Sequence, residues 1–463
     1  MDFIDREHEL SFLEEKWKED KAQFIVLWGK RRVGKTELVK RFIKNKPGVY
    51  FLSESVSPKD QLSRFSKTIG GFFEEPLLLT RGFTEWEEMF EYVFLKKKKF
   101  VLIIDEFPYL FASNPAILTI FQKAWDEYWS KSDIFLIILG SSISMMENEV
   151  LGYRSPLYGR RTAQWMLNPL PFKAAASFRK EKPFEDKLLH FAVAGGIPEY
   201  WLKFDPSKSF KENLLLHIIK KGEFLYDEPE FILRKELREP RYYFSILKAI
   251  AQGKRKNSEI INATGINNTS LNKYLGVLSD LKIIERELPA TEEKPLKSKK
   301  GLYKITDEFF RFWFRFVFPK RSDIEFGKSA ELLSEILNEL PQYMGSVYEK
   351  AAKDILIDNQ RLYFTPDAIG RWWDKNEEID IVAINKNGRQ PSILFCEVKW
   401  TQKPVGKNIY ESLKEKAKKV DWNRDNRIEY FSFFSKSGFT EEMIKMAASK
   451  NILLFKEDKL QIN

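Results

Sequence analysis

Residues 23–36, QFIVLWGKRRVGKT, decide how the first part of this chain folds. The run from Gln23 to Gly29 is apolar almost throughout, which is typical of a strand buried on both faces of a parallel sheet. Gly29–Thr36 then fits the pattern G-x-x-x-x-G-K-[ST], and helical periodicity follows. The glycines let backbone N–H groups curve toward an anion, and the dipole of the following helix favours the same charge. The stretch predicts a strand, a phosphate-binding loop and a helix, in that order.

The residue types in this loop predict contacts with a bound nucleotide. The Lys35 ammonium would reach the β- and γ-phosphates and take part in catalysis, and the Thr36 hydroxyl would bind Mg²⁺. An ordinary glycine-rich turn is the alternative, and the strand and helix on either side argue against it. The residues expected to contact the nucleotide here are Gly29, Lys30, Arg31, Arg32, Val33, Gly34, Lys35, Thr36 and Glu37.

Two more apolar runs, 99–106 and 134–142, predict further strands with a helical pattern between them. Strands that alternate with helices at this spacing favour a parallel sheet between layers of helices. Asp105 ends the first of these strands, where its carboxylate could hold Mg²⁺ through water, and Glu106 could orient an attacking water. The acidic pair could instead cap the strand. Together with the loop, it predicts hydrolysis of a nucleoside triphosphate.

Polar residues after the third predicted strand are candidates to act on the γ-phosphate. Ser141 could sense that phosphate, although a serine pair also favours a turn. Arg160 and Arg161 could stabilise charge in the transition state, from the same or a neighbouring subunit. A surface salt bridge is the alternative for either arginine, and the sequence leaves that choice open.

Composition limits the class of protein. The 463 residues are 43% hydrophobic and 31% charged, a mixture typical of a folded chain with about two to four domains. Lys and Arg number 77 against 67 Asp and Glu, and the net charge of +10 fits a polyanionic partner. The single cysteine, Cys396, excludes an intrachain disulfide and a cysteine-based zinc site. Without a signal-peptide pattern or an apolar run long enough to cross a bilayer, we expect a cytoplasmic protein with no membrane partner.

Six motifs in the first half of the chain resemble one known family. In order they are FIDREHEL, GKRRVGKTEL, LIIDEFPYL, LGSS, SPLYGRRT and GGIPEYW. This series resembles the archaeal ATPase family, a branch of the AAA+-like STAND NTPases related to the origin-recognition ATPases. The resemblance implies an ASCE-type P-loop fold, ATP as the nucleotide, and contacts with adenine from the region of Asp5 and Arg6.

The middle of the chain changes from strands to helices. After an ATPase core over 1–170, helical patterns over 171–238 predict a lid. Three short helical patterns, separated by glycine-containing turns and followed by a strand, predict a winged helix-turn-helix over 239–305. Its recognition helix would contain NNTSLNKYL, and the lysines at 294, 297, 299 and 300 would contact phosphates. Winged helices also bind proteins, so DNA binding is the expectation rather than the only interpretation.

A second candidate site lies near the carboxyl end, after an aromatic linker helix over 306–330. Strand alternation sets Glu397 and Lys399 on one face of a strand, and Asp380 begins the preceding strand. Asp380 and Glu397 could bind a second Mg²⁺ or Mn²⁺, with Glu349 as a further ligand, while Lys399 positions the attacking water. These residues predict phosphodiester hydrolysis. A surface ion pair is the alternative for an E-x-K pattern.

The last segment, 331–463, also resembles a known domain. YMGSVYEK, GRWWDKNEEIDIVA, CEVKW and FSKSGF are similar to the domain of unknown function that follows this ATPase in many archaea, and the arrangement resembles the PD-(D/E)XK nuclease fold. The strand that carries Asp380 reads EID, so the proline of that nuclease pattern is absent. The resemblance implies a restriction-endonuclease-like α/β domain, in which catalytic activity can be lost.

We therefore predict an α/β protein with a P-loop, AAA+-like parallel sheet, a helical lid, a winged helix and a nuclease-like domain. ATP, Mg²⁺ and DNA are the expected ligands, and self-assembly into a homo-oligomer is left open. One rival is a nucleotide-switched regulator that reads DNA and carries an inert nuclease-like scaffold. Another is a STAND-type switch that binds proteins and no DNA.

Overall fold

The structure is a computed structural model, and it describes residues 4–237 and 239–462. The chain divides into two compact units, of which the first comprises 1–169 with 197–199 and the second comprises the remainder. No helix within the described ranges is both long and apolar enough to cross a membrane.

The first unit is built on a five-stranded parallel sheet with the order β2-β3-β4-β1-β5. Its strands are β1 Gln23–Gly29, β2 Gly48–Leu52, β3 Phe100–Asp105, β4 Ile134–Gly140 and β5 Ala163–Leu167. Its helices are Glu7–Lys18, Lys35–Ile43, Pro58–Phe73, Pro76–Thr80, Trp86–Leu95, Pro108–Ser113, Ile117–Glu127, Trp129–Lys131, Ile143–Met145 and Met146–Val150. The short helix Pro198–Trp201 begins within the segment 197–199 of the first unit, and its last two residues belong to the second unit.

Alternate residues of β1 show why this sheet forms. Phe24 and Val26 pack in one hydrophobic core, whereas Ile25 and Leu27 pack in another on the opposite face. Every residue of β1, β3 and β4 is buried, so these strands need apolar side chains on both faces. The sheet is covered by helices on both sides, and the ends of β1, β3 and β4 come together at one edge.

The second unit begins with helices and continues with a small three-helix segment. Its helices up to residue 358 are Phe172–Ala176, Ser177–Arg179, Phe184–Ala194, Phe210–Asn213, Leu214–Ile219, Glu228–Glu236, Pro240–Ala251, Asn257–Thr264, Asn268–Asp280, Glu308–Phe312, Trp313–Val317, Phe318–Lys320, Arg321–Glu325 and Ser329–Asp358. Two antiparallel strands, β6 Ile284–Glu287 and β7 Leu302–Ile305, follow the three helices of 240–280. Asn267 caps the last of these helices, because its side chain accepts the backbone N–H of Ser270 at 2.9 Å.

A six-stranded sheet completes the second unit, in the order β13-β12-β11-β10-β9-β8. The strands are β8 Ala368–Trp373, β9 Glu378–Asn385, β10 Ser392–Lys399, β11 Ile428–Ser435, β12 Leu453–Lys456 and β13 Lys459–Ile462, and the helices are Gln360–Leu362, Lys407–Lys419 and Glu441–Lys450. β8, β9 and β10 are antiparallel neighbours, whereas β10, β11 and β12 are parallel. The helix Ser329–Asp358 packs on β9 and β10.

Candidate functional site

Two glycines shape the loop between β1 and the helix Lys35–Ile43. Gly29 has φ +152°, and a Cβ atom there would lie 2.3 Å from the carbonyl oxygen of Leu167 on β5. Gly34 has φ +99° and stands directly before the helix. Both backbone conformations favour glycine, and the approach of Leu167 leaves no space for a side chain at Gly29. The loop is therefore fixed by glycine geometry at both ends.

Lys35 lies inside this loop. Its side chain is buried, and Nζ donates hydrogen bonds to the carbonyl oxygens of Gly29 at 2.9 Å and Lys30 at 3.0 Å. Burial lowers the pKa of Lys35 to about 8, although the carboxylates of Glu106 and Asp105 act in the opposite direction. An ammonium held by loop carbonyls is positioned to exchange those partners for phosphate oxygens.

Asp105 joins three elements of the first unit. Its Oδ2 accepts hydrogen bonds of 2.7 Å from the hydroxyl of Thr36 and of 2.7 Å from the phenol of Tyr50 on β2. Its Oδ1 accepts the backbone N–H of Glu106 at 2.8 Å. The carboxylate is buried and faces the first turn of the helix that follows the loop. The structure thus brings Thr36 and Asp105 together, as a shared magnesium site would require.

Glu106 stands beside this pair in an unusual backbone conformation. Its φ is +51°, in the left-handed region that non-glycine residues seldom adopt. The carboxylate accepts the hydroxyl of Ser141 at 2.6 Å to Oε1 and 2.9 Å to Oε2. Ser141 follows β4, so the ends of two neighbouring strands hold one carboxylate between them. Such strain is often found at functional positions.

Arg6 fastens the segment before the first helix to the loop. Its Nη2 donates to the carbonyl oxygens of Val33 at 3.1 Å and Asn168 at 2.8 Å, and Nη1 donates to Glu9 at 2.8 Å. The buried guanidinium therefore holds the loop against the end of β5. Burial raises the pKa of the neighbouring Asp5, whose φ is +48°.

The remaining predicted loop residues differ in exposure. Val33 is buried, Glu37 is exposed in the first turn of the helix, and Lys30, Arg31 and Arg32 are half-buried along the loop. Arg32 has φ +66°, which adds a second left-handed residue to the loop. These side chains surround the loop without entering the Thr36–Asp105 pair.

Arg160 and Arg161 are held by surface partners. The guanidinium of Arg160 forms a bidentate ion pair with Asp126, in which Nη2 lies 2.9 Å from Oδ2 and Nε lies 3.1 Å from Oδ1. Arg161 lies over the ring of Tyr158, with 5.6 Å from Cζ to the ring centroid. A role on the γ-phosphate stays a prediction, and Arg160 would first have to leave Asp126.

The second candidate site lies where β9 pairs with β10. The antiparallel register runs to Ile381 opposite Cys396, so Asp380 and Glu397 are the next positions on the two strands. Nζ of Lys399 contacts Oε2 of Glu397 and lies 3.5 Å from Oδ2 of Asp380. The same oxygen of Asp380 accepts the backbone N–H of Val398 at 2.8 Å. Both carboxylates are buried, so the lysine links them in a partly shielded position.

Lys416, on the helix Lys407–Lys419, is a further member of this site. Its Nζ donates to Oε1 of Glu397 at 2.7 Å, so a different lysine contacts each oxygen of that carboxylate. Burial opposes ionisation of Glu397, but the lysines outweigh burial and hold its pKa below the usual value. Burial and the charge of Glu397 raise the pKa of Asp380 to about 6.

Glu349 lies at the same site but meets an arginine. Its Oε2 is 3.7 Å from Nε of Arg371, which also forms a 2.7 Å ion pair with Glu378. Burial, with the nearby Asp380 carboxylate, raises the pKa of Glu349 to about 8. Within residues 4–237 and 239–462, no three His, Cys, Asp or Glu side chains come close enough to form a ready metal site. The oxygen donors of Asp380 and Glu397 are of the kind Mg²⁺ prefers, with lysines at hand.

Three functional candidates escaped the sequence analysis. Tyr50 lies on a short strand that was not predicted, and its contact with Asp105 follows only from the order of the sheet. Lys416 lies on the helix Lys407–Lys419, where several lysines follow one another and nothing in the sequence shows that this one contacts Glu397. Arg371 sits on β8, also not predicted, because the segment AIGRWW has no clear alternation. The pairing of strands identifies Tyr50 and Arg371, and the position of a helix beside β10 identifies Lys416.

Comparisons with known families agree with this architecture. A family model described as an ATPase domain predominantly from Archaea matches residues 3–204. A second model, described as archaeal and bacterial proteins of unknown function, matches residues 313–420. The first range contains the loop, Asp105 and Ser141, and the second contains Asp380 and Glu397. The predicted resemblance to the archaeal ATPase family and its associated domain is confirmed.

Individual relatives support the same assignment. An uncharacterized protein of Methanocaldococcus jannaschii is 38% identical over 440 residues, which cover 94% of this chain and 95% of that protein. An uncharacterized ATP-binding protein of the same organism is 59% identical over 44 residues, which are 10% of this chain and 75% of that protein.

A solved structure shows the same fold. The Walker-type ATPase of Pyrococcus abyssi has a TM-score of 0.53 and 23% identity, covering 68% of this chain and 96% of that one. The predicted α/β class with a parallel P-loop sheet is confirmed. This chain belongs to the family of archaeal ATPases in which a P-loop ATPase domain is joined to a carboxyl-terminal domain of unknown function.

Proposed function

We propose that this protein binds ATP with Mg²⁺ at Gly29–Thr36 and hydrolyses it. The observation that carries the proposal is the 2.7 Å contact between the Thr36 hydroxyl and the Asp105 carboxylate, beside the buried ammonium of Lys35. A hydroxyl and a carboxylate are the protein ligands that P-loop enzymes supply to Mg²⁺, so these residues fit the ion. When bound, Mg²⁺ neutralises charge on the β- and γ-phosphates.

The protein's own groups account for the remaining steps. Backbone N–H groups of the loop and the Lys35 ammonium would bind the phosphates, and Asp5 and Arg6 would contribute at the adenine end. Glu106, held by Ser141, would orient the attacking water and accept its proton. The water oxygen bonds to the γ-phosphorus, the bond to the bridging oxygen breaks, and ADP and phosphate leave.

The test compares three variants of the full chain by ATP hydrolysis and nucleotide binding. Lys35→Ala should lose hydrolysis, and Glu106→Gln should lose hydrolysis while it still binds ATP. Lys40→Gln, an exposed position on the same helix and outside the residues expected to contact the nucleotide, should hydrolyse ATP as the unaltered protein does. Undiminished hydrolysis in Lys35→Ala would place the phosphates elsewhere.

A second activity is proposed for the carboxyl-terminal domain, on the observation that Lys399 links the carboxylates of Asp380 and Glu397. Three antiparallel strands, a helix and a parallel strand form the core that a PD-(D/E)XK nuclease fold has, which supports the resemblance. We propose that Asp380 and Glu397 would hold a divalent cation there, with Glu349 as an outer ligand. The domain would then cleave a phosphodiester bond, and Lys399 and Lys416 would neutralise charge on the phosphate.

The segment 239–305 is proposed to be a winged helix that binds DNA. Its third helix, Asn268–Asp280, presents Thr269 and Lys273 to solvent, and a lysine-rich loop joins β6 to β7. We also propose that the chain is divided into the domains 1–170, 171–238, 239–305, 306–330 and 331–463.

Incubation of the protein with plasmid and Mg²⁺ or Mn²⁺ tests the nuclease proposal. Cleavage by the unaltered protein and by Lys445→Gln, but not by Glu397→Ala, is the expected result. Lys445 is an exposed lysine on the helix Glu441–Lys450 and serves as the control. If Glu397→Ala cleaves normally, or the unaltered protein does not cleave, the domain is a scaffold in a nucleotide-switched binding protein.

A further inference from the structure

A cleft of about 530 Å³ lies within the second unit, between the β6–β7 pair and the carboxyl-terminal domain. The β6–β7 pair lines one side, and the helix Ser329–Asp358 with β8 and β9 lines the other. Asp380 and Glu349 are among the lining residues, so the cleft reaches the site proposed to cleave phosphodiesters. Whatever occupies the cleft is presented to those carboxylates.

The loop between β6 and β7, residues 288–301, is held against β8, the strand whose Gly370 and Arg371 line this cleft. The backbone N–H of Ala290 donates to the carbonyl oxygen of Arg371 on β8 at 2.8 Å. The indole N–H of Trp373, also on β8, donates to the carbonyl oxygen of Lys300 at 3.2 Å. Both ends of the loop are thus held by one strand.

Ion pairs at the base of the loop hold it in the same position. The carboxylate of Glu287, at the end of β6, accepts Nη2 of Arg255 at 2.6 Å and Nζ of Lys304 at 2.9 Å. Lys350, on the helix Ser329–Asp358, donates to the carbonyl oxygen of Thr306 at 3.2 Å. The wall formed by β6 and β7 is therefore anchored on two sides.

The charges along the cleft suit an anion that brings several acceptor oxygens. Seven Lys and Arg side chains and six carboxylates line it. Nε of Arg315 is shielded from solvent and makes no hydrogen bond with the described residues, and Nε of Arg371 is equally shielded and has the Glu349 carboxylate at 3.7 Å. Buried donors without an acceptor are costly, and phosphate oxygens would satisfy them. Lys353, half-buried on the same wall, adds a further positive charge.

The size of the cleft and its aromatic lining limit the class of ligand further. Pockets of about 300–1,000 Å³ hold ligands the size of a nucleotide, whereas a duplex brings two strands and a major groove about 12 Å wide. Tyr303, which is partly exposed, lines the cleft and offers a ring face on which an unpaired base can stack. We propose that the cleft takes a single strand of nucleic acid and leads it to Asp380, so that the substrate is single-stranded. This inference rests on the proposed nuclease-like function.

Binding of fluorescent oligonucleotides to the full chain tests the strand preference. An oligo(dT) strand should bind about ten-fold or more tightly than a blunt duplex of the same length, as measured by fluorescence anisotropy over a salt series. Lys353→Gln should weaken binding and reduce the slope of log affinity against log salt by about one. Lys445→Gln, which removes an exposed lysine outside the cleft, should leave both values unchanged. Equal or tighter binding of the duplex, or an unchanged slope in Lys353→Gln, would overturn the proposal.

A cross-link tests whether the loop must lift for the strand to enter. A Cβ atom at Gly370 would lie 3.8 Å from Cβ of Ala290, which matches the usual separation in a disulfide. The double variant Ala290→Cys and Gly370→Cys should therefore oxidise, and the natural Cys396 is buried. The locked protein should bind oligo(dT) within about two-fold of its reduced form. Loss of that binding on locking, or duplex binding that appears on reduction, contradicts a strand that occupies the cleft while the loop stays attached to β8.

Cleavage separates this inference from the function on which it rests. Glu397→Ala with intact single-strand preference and no cleavage would support both. Cleavage of duplex and single strands at equal rates, abolished by Glu397→Ala, would uphold the nuclease proposal and overturn the strand preference alone. A protein that prefers single strands in the cleft but cleaves nothing would leave the binding inference standing and overturn the nuclease proposal.

Discussion

The hydroxyl of Thr36 donates a 2.7 Å hydrogen bond to Oδ2 of Asp105, although 69 residues separate the two in the chain. The parallel pairing of β3 with β4, and of β4 with β1, brings the end of β3 to the loop that follows β1. Tyr50 donates to the same oxygen from β2. The position of this carboxylate therefore depends on the sheet as a whole and not on the loop alone.

Replacement of Tyr50 by Phe should separate support of Asp105 from catalysis. One hydrogen bond to a charged acceptor is lost, so the free energy of unfolding should fall by about 1–3 kcal/mol while ATP hydrolysis persists within several-fold. Asp105→Asn, by contrast, should reduce hydrolysis by about 100-fold or more, because a proposed Mg²⁺ ligand is removed. Chemical denaturation and steady-state hydrolysis measure the two effects. Hydrolysis lost equally in both variants would show that Tyr50 acts directly.

The affinity for ATP should decrease at alkaline pH. Burial lowers the pKa of Lys35 to about 8 in the protein without nucleotide, and only the charged ammonium attracts phosphate. Affinity should be constant below about pH 8 and fall by up to about ten-fold per pH unit above it. Calorimetry between pH 6 and 10 measures this break, which should persist in Lys40→Gln and be absent in Lys35→Gln. A break that remains in Lys35→Gln must come from another group.

The substitutions Gly29→Ala and Gly34→Ala should lower the free energy of unfolding by different amounts. Gly29 and Gly34 both have positive φ, so alanine at either position introduces backbone strain of about 1–3 kcal/mol. At Gly29 the added methyl group would also meet the carbonyl oxygen of Leu167 at 2.3 Å, whereas nothing lies within 4 Å at Gly34. Gly29→Ala should therefore destabilise the protein by at least about 1 kcal/mol more than Gly34→Ala. Equal losses in thermal or urea unfolding would show that β5 moves away freely.

Removal of the Asp186 charge should destabilise the second unit. Its Oδ1 accepts Nε of the buried Arg179 at 2.6 Å, so Asp186→Asn leaves a guanidinium without its counter-charge. Because the carboxylate is half-exposed, solvent screens its charge, and the loss in free energy of unfolding is limited to about 2 kcal/mol. Glu181→Gln, which alters an exposed acid nearby, is the control and should change the free energy of unfolding very little.

The effect of Asp186 should depend on pH in a defined direction. Burial opposes ionisation, but His190 and Arg179 outweigh it and lower the pKa of Asp186 to about 2 from 3.8. A depressed carboxyl pKa stabilises the folded state above the unfolded value and loses that contribution as pH falls through the folded one. The difference in unfolding free energy between Asp186→Asn and the unaltered protein should thus shrink between about pH 4 and pH 2. A constant difference would point to packing rather than charge.

The sequence predicted those elements that repeat a strong local pattern. β1, β3 and β4 are continuous apolar runs, and the loop after β1 follows a fixed motif, so each could be recognised without its neighbours. β2 has only five residues and begins with glycine, whereas β8 is interrupted by Gly370 and Arg371, and both are held as strands by pairing with β3 and β9. Local pattern is a weak guide where tertiary pairing decides the structure.

The site residues divide in the same way. Alternation along one strand anticipated that Glu397 and Lys399 share a face, and the structure places them in contact. It could not anticipate Lys416, because a basic helix is usually solvated and only the crossover from β10 to β11 carries it to Glu397. The sequence also did not indicate that the guanidinium of Arg6 holds the carbonyl oxygens of Val33 and Asn168, while the adenine contact of the region of Asp5 and Arg6 stays a prediction. Contacts with the backbone leave no trace in sequence spacing.

The hydrogen bond from Ala290 to Arg371 has a consequence for solubility. β8 is one of the two edge strands of the six-stranded sheet, and such a strand offers unpaired N–H and C=O groups to any other extended chain. The loop before β7 covers part of this edge strand, because the N–H of Ala290 donates to the carbonyl oxygen of Arg371. A protein that lacked this loop would expose the free backbone groups of β8, and we expect it to aggregate through strand pairing between molecules.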